Sequence, residues 1–84
     1  MAKFTFYRKA GSGNYYLTKC EPEPGDISIT LPDYVCYNNI IYTYGIYSYA
    51  FWGNLTTTHL IIPETVDALL TNCFAGSNVE TVEL

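Results

Sequence analysis

Leu60-Ile61-Ile62-Pro63-Glu64-Thr65-Val66-Asp67-Ala68-Leu69-Leu70-Thr71-Asn72-Cys73-Phe74 is the stretch that decides how this chain is read. An apolar strand is stopped by proline, a valine follows three positions on, and an aliphatic pair leads to phenylalanine. The same order occurs earlier, as Ile29-Thr30-Leu31-Pro32-Asp33-Tyr34-Val35 and then Gly45-Ile46-Tyr47-Ser48-Tyr49-Ala50-Phe51. Two matched blocks in one order indicate a stacked repeat, and stacked repeats act by presenting a surface. Proline directly after a strand ends the ladder without an unpaired donor and sets the direction in which the chain leaves.

The intervals refine the pattern. Ile27, Ile29 and Leu31 fall on one side of a strand of period two, and Thr58, Leu60 and Ile62 form a second copy. Val82 and Leu84 give a third, with Val79 turning inward just before it. Leu31 and Ile62 are 31 residues apart, Ile62 and Leu84 are 22 apart, and Phe51 and Phe74 are 23 apart. The first block is therefore enlarged by eight residues, which fall near 36–44. There Asn38-Asn39 reads as a turn and Ile40 to Tyr44 as an extra strand. Such inserts map to a loop or flap on one face, often the binding face. The positions expected to build the repeat are Leu31, Pro32, Val35, Phe51, Ile62, Pro63, Val66, Phe74, Val82 and Leu84. Phe51 and Phe74 should stack at equal depth. Cys73 aligns with Ala50 and reads as a small buried packing residue. Asn54 and Asn78, offset by one residue, should hydrogen-bond loop backbone near the following rung.

Ahead of the repeat, residues 1–20 read as a β-hairpin. Phe4, Phe6 and Arg8 alternate with Thr5, Tyr7 and Lys9, Ala10 to Asn14 supplies the turn, and Tyr15 to Thr18 returns. Residues 21–26, Glu-Pro-Glu-Pro-Gly-Asp, form a stiff acidic connector. The repeat region is 27–84, and the whole is a single domain, 1–84.

The motifs Ile62-Pro63-Glu64-Thr65-Val66, Tyr49-Ala50-Phe51 and Asn72-Cys73-Phe74-Ala75-Gly76 resemble the BspA-type leucine-rich repeat. That family repeats at about 23 residues, within the range for leucine-rich repeats. The cysteine usual after the family's glycine is Asn54 in one block and Ser77 in the other. Further departures are the insert and the small number of repeats. The resemblance covers about 27–84 and implies a mainly β fold, a short leucine-rich-repeat-like solenoid of about two repeats plus a terminal strand, preceded by the hairpin. It also implies adhesion or interaction modules, at a cell surface or secreted, that make contact through the concave sheet. An open end of such a stack exposes apolar edge. The final strand is thus expected to meet either more chain or another subunit, while the N-terminal hairpin caps the opposite end.

Composition narrows the function classes. Hydrophobic residues make up 49% and aromatics 17%, which excludes a disordered chain. Only four basic residues and a net charge of −4 argue against nucleic acid and against anionic membrane surfaces. No apolar run reaches membrane-spanning length, and the N-terminus lacks the apolar core of a signal peptide. Three cysteines make a poor disulfide framework. His59 is the single histidine, so no metal-ligand spacing exists. Glu21 and Glu23 lie two apart on the connector, poor support for acid–base work, while Asp33 and Glu64 read as solvated loop residues. Gly11-Ser12-Gly13 lacks the lysine and helix of a phosphate loop. Asn54-Leu55-Thr56 is formally a glycosylation sequon. The expectation is a noncatalytic chain without cofactors or metal.

No Asp, Glu, Lys or Arg lies between Asp33 and Glu64, although the segment is rich in tyrosine. Tyr42, Tyr44, Tyr47, Tyr49 and Trp52 are therefore the expected partner contacts, large in area and carrying a polar handle. The expected occupant is a protein partner or a second copy of the chain. A structural subunit of a larger assembly, such as a virion or surface lattice, and a carbohydrate-binding surface module are the competing readings. The compartment follows the reading: cell surface or secreted for part of a longer repeat protein, cytoplasmic or virion-associated otherwise.

Overall fold

Leu60 lies on the central strand of one open three-stranded sheet, and Ile46 lies on the parallel edge strand of a second. The structure, a computed structural model, describes residues 2–84. It is mainly β, with eight strands and no helix among the described residues. β1 (Lys3–Arg8) and β2 (Tyr15–Glu21) form the expected antiparallel hairpin. The register shifts between Thr5, opposite Lys19, and Phe6, opposite Leu17, so Thr18 is the extra residue of a bulge. Its hydroxyl donates to the Thr5 carbonyl at 3.2 Å. The bulge has a packing consequence: Leu17 and Cys20, three apart, both point inward, which a regular strand forbids.

β2 also pairs in parallel with β6 (Tyr44–Ile46), Tyr15 opposite Tyr44 and Leu17 opposite Ile46, and Ile46 bridges onward to Leu69. The return strand of the hairpin is thus itself a rung, in contrast to the expected division between a hairpin at 1–20 and a repeat region from 27. It carries no Pro-x-x-Val signature; the continuing apolar column Leu17–Ile46 draws it in. β1 lies on the far side of β2, and Phe4 and Phe6 pack against the core from there.

The second sheet orders β3 (Ser28–Thr30), β7 (His59–Ile61) and β8 (Thr81–Glu83), all parallel. The register aligns Ile29, Leu60 and Val82 in one column, of which Ile29 and Leu60 are buried. Leu31, Ile62 and Leu84 continue the next, through Leu31 N–H to the Ile61 carbonyl and Ile62 N–H to that of Glu83. Two expectations need correction. Ile27 is exposed, because its carbonyl turns to accept the Thr58 and His59 amides before the strand begins. Val82 and Leu84 are also exposed, Leu84 by 84%, since β8 is covered on one side only. The same one-sidedness makes Phe74 half-buried while Phe51 is fully buried, their rings 5.4 Å apart.

A column of small residues, Cys20, Ala50 and Cys73, lets successive turns of chain approach. The Cys20 amide donates to the Ala50 carbonyl, and the Phe51 amide to that of Cys73. Burial, with the Asp26 carboxylate nearby, pushes the Cys20 thiol up to about 11, and burial also raises Cys73. All three cysteines are free thiols.

The insert is a hairpin of β4 (Val35–Tyr37) and β5 (Ile40–Tyr42). Asn38 and Asn39 both take left-handed backbone, φ 51 and 64, the two-residue turn whose twist matches its strands. The insert therefore spans 35–42 rather than 36–44. The expected single strand from Ile40 to Tyr44 breaks at Thr43, whose hydroxyl donates to Asp67 Oδ2 at 2.8 Å. Tyr44 belongs to the regular rung.

Candidate functional site

Three surfaces carry unusual side chains. The first is the insert hairpin. Tyr37, Ile40 and Ile41, with Tyr34 beside them, stand out from the body, Ile41 with 63% of its surface free. Tyr42 anchors the hairpin's base against Tyr15, ring centroids 4.6 Å apart, and the Arg8 guanidinium lies 5.8 Å from the centre of the Tyr15 ring. A pocket of about 380 Å³ separates this flap from the N-terminal hairpin and is lined by Phe6, Arg8, Tyr15, Val35, Cys36 and Tyr37.

The expected contact tyrosines divide. Tyr44 is 0% exposed. Its hydroxyl donates to the Pro32 carbonyl and its ring meets Phe6 edge-on at 4.9 Å. Burial pushes its phenol well above the ordinary range. It is a clamp between the repeat proline and the core, and its place among the expected contacts is withdrawn. Tyr47 is half-buried, 5.3 Å from the Tyr16 ring and 6.5 Å from that of Tyr7. Tyr16 closes over Gly45, where a Cβ would lie 3.3 Å from Tyr16 Cδ1 and 3.1 Å from Ala68 Cβ. Tyr42 serves the flap's base, and only Tyr49 and Trp52 are well exposed.

Tyr49 and Trp52 form the second surface, on the turn that leads out of Phe51's rung. Tyr49 adopts left-handed backbone at φ 61, as does Asn72 in the equivalent place one turn on, also at φ 61. Asparagine tolerates that region far better than an aromatic residue does. Asn72 Nδ2 approaches the Tyr49 hydroxyl at 3.5 Å, and the Tyr49 and Trp52 rings meet edge-to-face at 6.1 Å. Trp52 is 65% exposed, yet it is not loose. A Cβ built on Gly76 would lie 2.1 Å from indole Cε3 and almost equally near its ring neighbours, Cζ3 at 2.6 Å and Cδ2 at 2.7 Å. An edge-on approach would leave those neighbours much further away, so one face of the indole lies flat on Gly76. Trp52 also borders a groove of about 520 Å³ together with Lys19, Cys20, Glu21, Pro22, Gly53 and Asn54.

Asn54, beneath this groove, is 1% exposed and fully used. Its Oδ1 accepts the Thr56 and Thr57 amides at 3.2 and 3.0 Å, and its Nδ2 donates to Thr57 Oγ1. Thr57 in turn donates to the Asp26 carbonyl at 2.8 Å, joining one turn of chain to the previous one. The sequon is therefore closed to modification in the folded chain. Ser77 is the true counterpart of Asn54, accepting the Val79 amide two residues on, while Asn78 Nδ2 donates to the Leu55 carbonyl.

The third surface is the outer face of β3, β7 and β8. His59 Nδ1 lies 2.5 Å from Thr81 Oγ1, and Nε2 lies 3.4 Å from Glu83 Oε2. The parallel register places these partners two dozen residues away in sequence, so the pairing was invisible before folding. The contact ties β7 to β8 through both ring nitrogens of one imidazole.

Sequence reasoning missed the exposed row Tyr37, Ile40 and Ile41, which the Asn-Asn turn between alternating residues could have signalled. It also missed Thr57, whose only signal is its place three residues after a buried asparagine.

No protein-family model matches the chain, and no curated protein matches it. Among solved structures, it is similar over 100% of its length to a leucine-rich repeat protein from Bacteroides ovatus, with a TM-score of 0.75 and 21% identity. The matched region is 22% of that protein's chain, so the present chain spans about a fifth of its length. The likeness shows the fold: a mainly β chain of leucine-rich-repeat type, and it includes the N-terminal hairpin.

Proposed function

We propose that the chain forms a short solenoid of BspA-type leucine-rich repeats and acts as a noncatalytic protein-interaction module. Its docking element is the flap β4–β5. The observation that carries this reading is the exposed row of Tyr37, Ile40 and Ile41 on a hairpin that packs on the body only at its base. A two-stranded hairpin is marginal on its own. Such a flap offers both apolar side chains and unpaired strand edges to a partner. Because Tyr34 to Pro63 carries no Asp, Glu, Lys or Arg, docking is mainly apolar and only weakly dependent on salt. His59, Thr81 and Glu83 serve strand association in this reading, and no bond-making chemistry is assigned to them. Presentation at a cell surface or after secretion fits the family resemblance.

A photo-crosslinking residue at position 41, with one at Ser12 on the N-terminal hairpin turn as control, tests the assignment. Discrete protein adducts from position 41 alone are expected. Equal yields from both positions, or none from position 41, refute it.

A further inference from the structure

We propose that the groove beside Trp52 is a saccharide-binding site, distinct from the flap, with Trp52 as the stacking platform and Glu21 and Lys19 as the hydroxyl-binding groups. A tryptophan 65% exposed at a turn is ordinarily mobile, but this one is seated on the backbone of Gly76 and braced by the Tyr49 ring. Its orientation is therefore set before any ligand arrives, which removes part of the ordering cost of binding.

Three further lining residues, Lys19, Cys20 and Glu21, come from β2. Lys19 and Glu21 are two apart on that strand and so project to the same side, and both are exposed. The groove is thus lined by a flat apolar ring and by residues that carry a carboxylate and an ammonium. Its volume of about 520 Å³ lies within the range of small-ligand pockets, and its floor is the fully hydrogen-bonded Asn54. Pro22 also lines the groove and offers no competing N–H donor.

A pyranose matches this division of surface. One face presents C–H groups able to lie on an aromatic ring, while the rim carries hydroxyls that donate in pairs to a carboxylate and accept from an ammonium. Other ligand classes fit worse. Lys19 repels the quaternary or methylated cations that aromatic rings otherwise attract. Glu21 and the net charge of −4 oppose a nucleotide phosphate. An apolar peptide would leave both charged groups desolvated and unpaired.

Trp52 is the single tryptophan, so its emission reports directly on the groove. The full chain is titrated with a panel of neutral hexopyranose di- and trisaccharides to millimolar concentration. At least one should saturate with a change in Trp52 emission. Binding of that saccharide, followed by calorimetry, should fall at least about tenfold in Trp52→Ala and several-fold in Glu21→Gln, and be largely restored in Trp52→Phe. The exposed position of Trp52 means the variants should fold, which far-UV circular dichroism checks. Silence across the panel, saccharide binding that survives Trp52→Ala, or response only to peptides overturns the proposal. Ile41→Lys should leave the titration unchanged, so loss of flap docking and loss of saccharide binding are read separately.

Discussion

Gly53 and Gly76 occupy equivalent places in successive turns, and alanine at each position separates backbone strain from the seating of Trp52. Both have positive φ, +83 and +73, and the Gly53 amide donates to the Gly76 carbonyl at 2.9 Å. An L-residue held in that region loses about 1–2 kcal/mol, a cost common to both substitutions. At Gly53 nothing lies within 4 Å of the added Cβ, so strain is the whole effect. At Gly76 the Cβ overlaps indole Cε3 at 2.1 Å, and the ring must leave. A tryptophan 65% exposed hides about a third of its surface, roughly 80 Å², and at about 25 cal/mol per Å² its release costs up to about 2 kcal/mol. Gly76→Ala should therefore destabilise by about 2–4 kcal/mol against about 1–2 for Gly53→Ala. Urea unfolding followed by far-UV circular dichroism measures the difference, provided the m-values agree. Trp52 emission in the folded state should shift to the red for Gly76→Ala alone. In a Trp52→Ala background the Gly76→Ala penalty should fall to that of Gly53→Ala. Equal losses with unchanged emission, or a Gly76 penalty that persists without the indole, refute the seating of Trp52 on Gly76.

Tyr49→Asn should raise stability by about 0.5–1 kcal/mol, since asparagine suits the left-handed backbone that Asn72 adopts one turn on; a destabilised variant would show that the Tyr49 ring contributes more than its strain costs. Phe51→Ala should cost about 3–5 kcal/mol, but Phe74→Ala only about 1–3, because Phe74 is packed from one side. Equal costs in chemical denaturation would contradict that asymmetry. Alkali should destabilise the fold. The Cys20 thiol is raised from 9.0 to about 11, so its contribution is complete below pH 9.0 and is lost as pH rises to about 11. Tyr44, raised in the same sense, adds to the loss above its ordinary 10.0. A fall of about 1–3 kcal/mol is expected from Cys20, and Cys20→Ala should remove the first part of the descent. A stability curve flat through that window sinks the assignment.

The regular part of the fold was legible because each of its features is local. Proline ends a strand wherever it stands, period two separates Ile29 and Leu31 from Ser28 and Thr30, and the 23-residue interval from Phe51 to Phe74 is a matter of counting. The insert was legible as an excess of eight residues but not in its bounds, since Tyr42 and Tyr44 are chemically alike. Only the packing of Tyr44 under Pro32 tells the rung from the flap.

By itself, then, the sequence determined the matched strands that end at Pro32 and Pro63 and the interval between the two phenylalanines. Tertiary structure decided the rest, because parallel rungs are joined by contacts with no signature inside either partner. Leu17 meets Ile46 and so turns an apparent appendage into the first rung. Glu83 meets His59 across two strands. Trp52 meets Gly76, and an aromatic residue that composition marks only as exposed area comes to rest on backbone, in a groove it shares with Glu21 and Lys19. Each of these pairs is 22 residues or more apart, and the register that joins them exists only once the core column has formed.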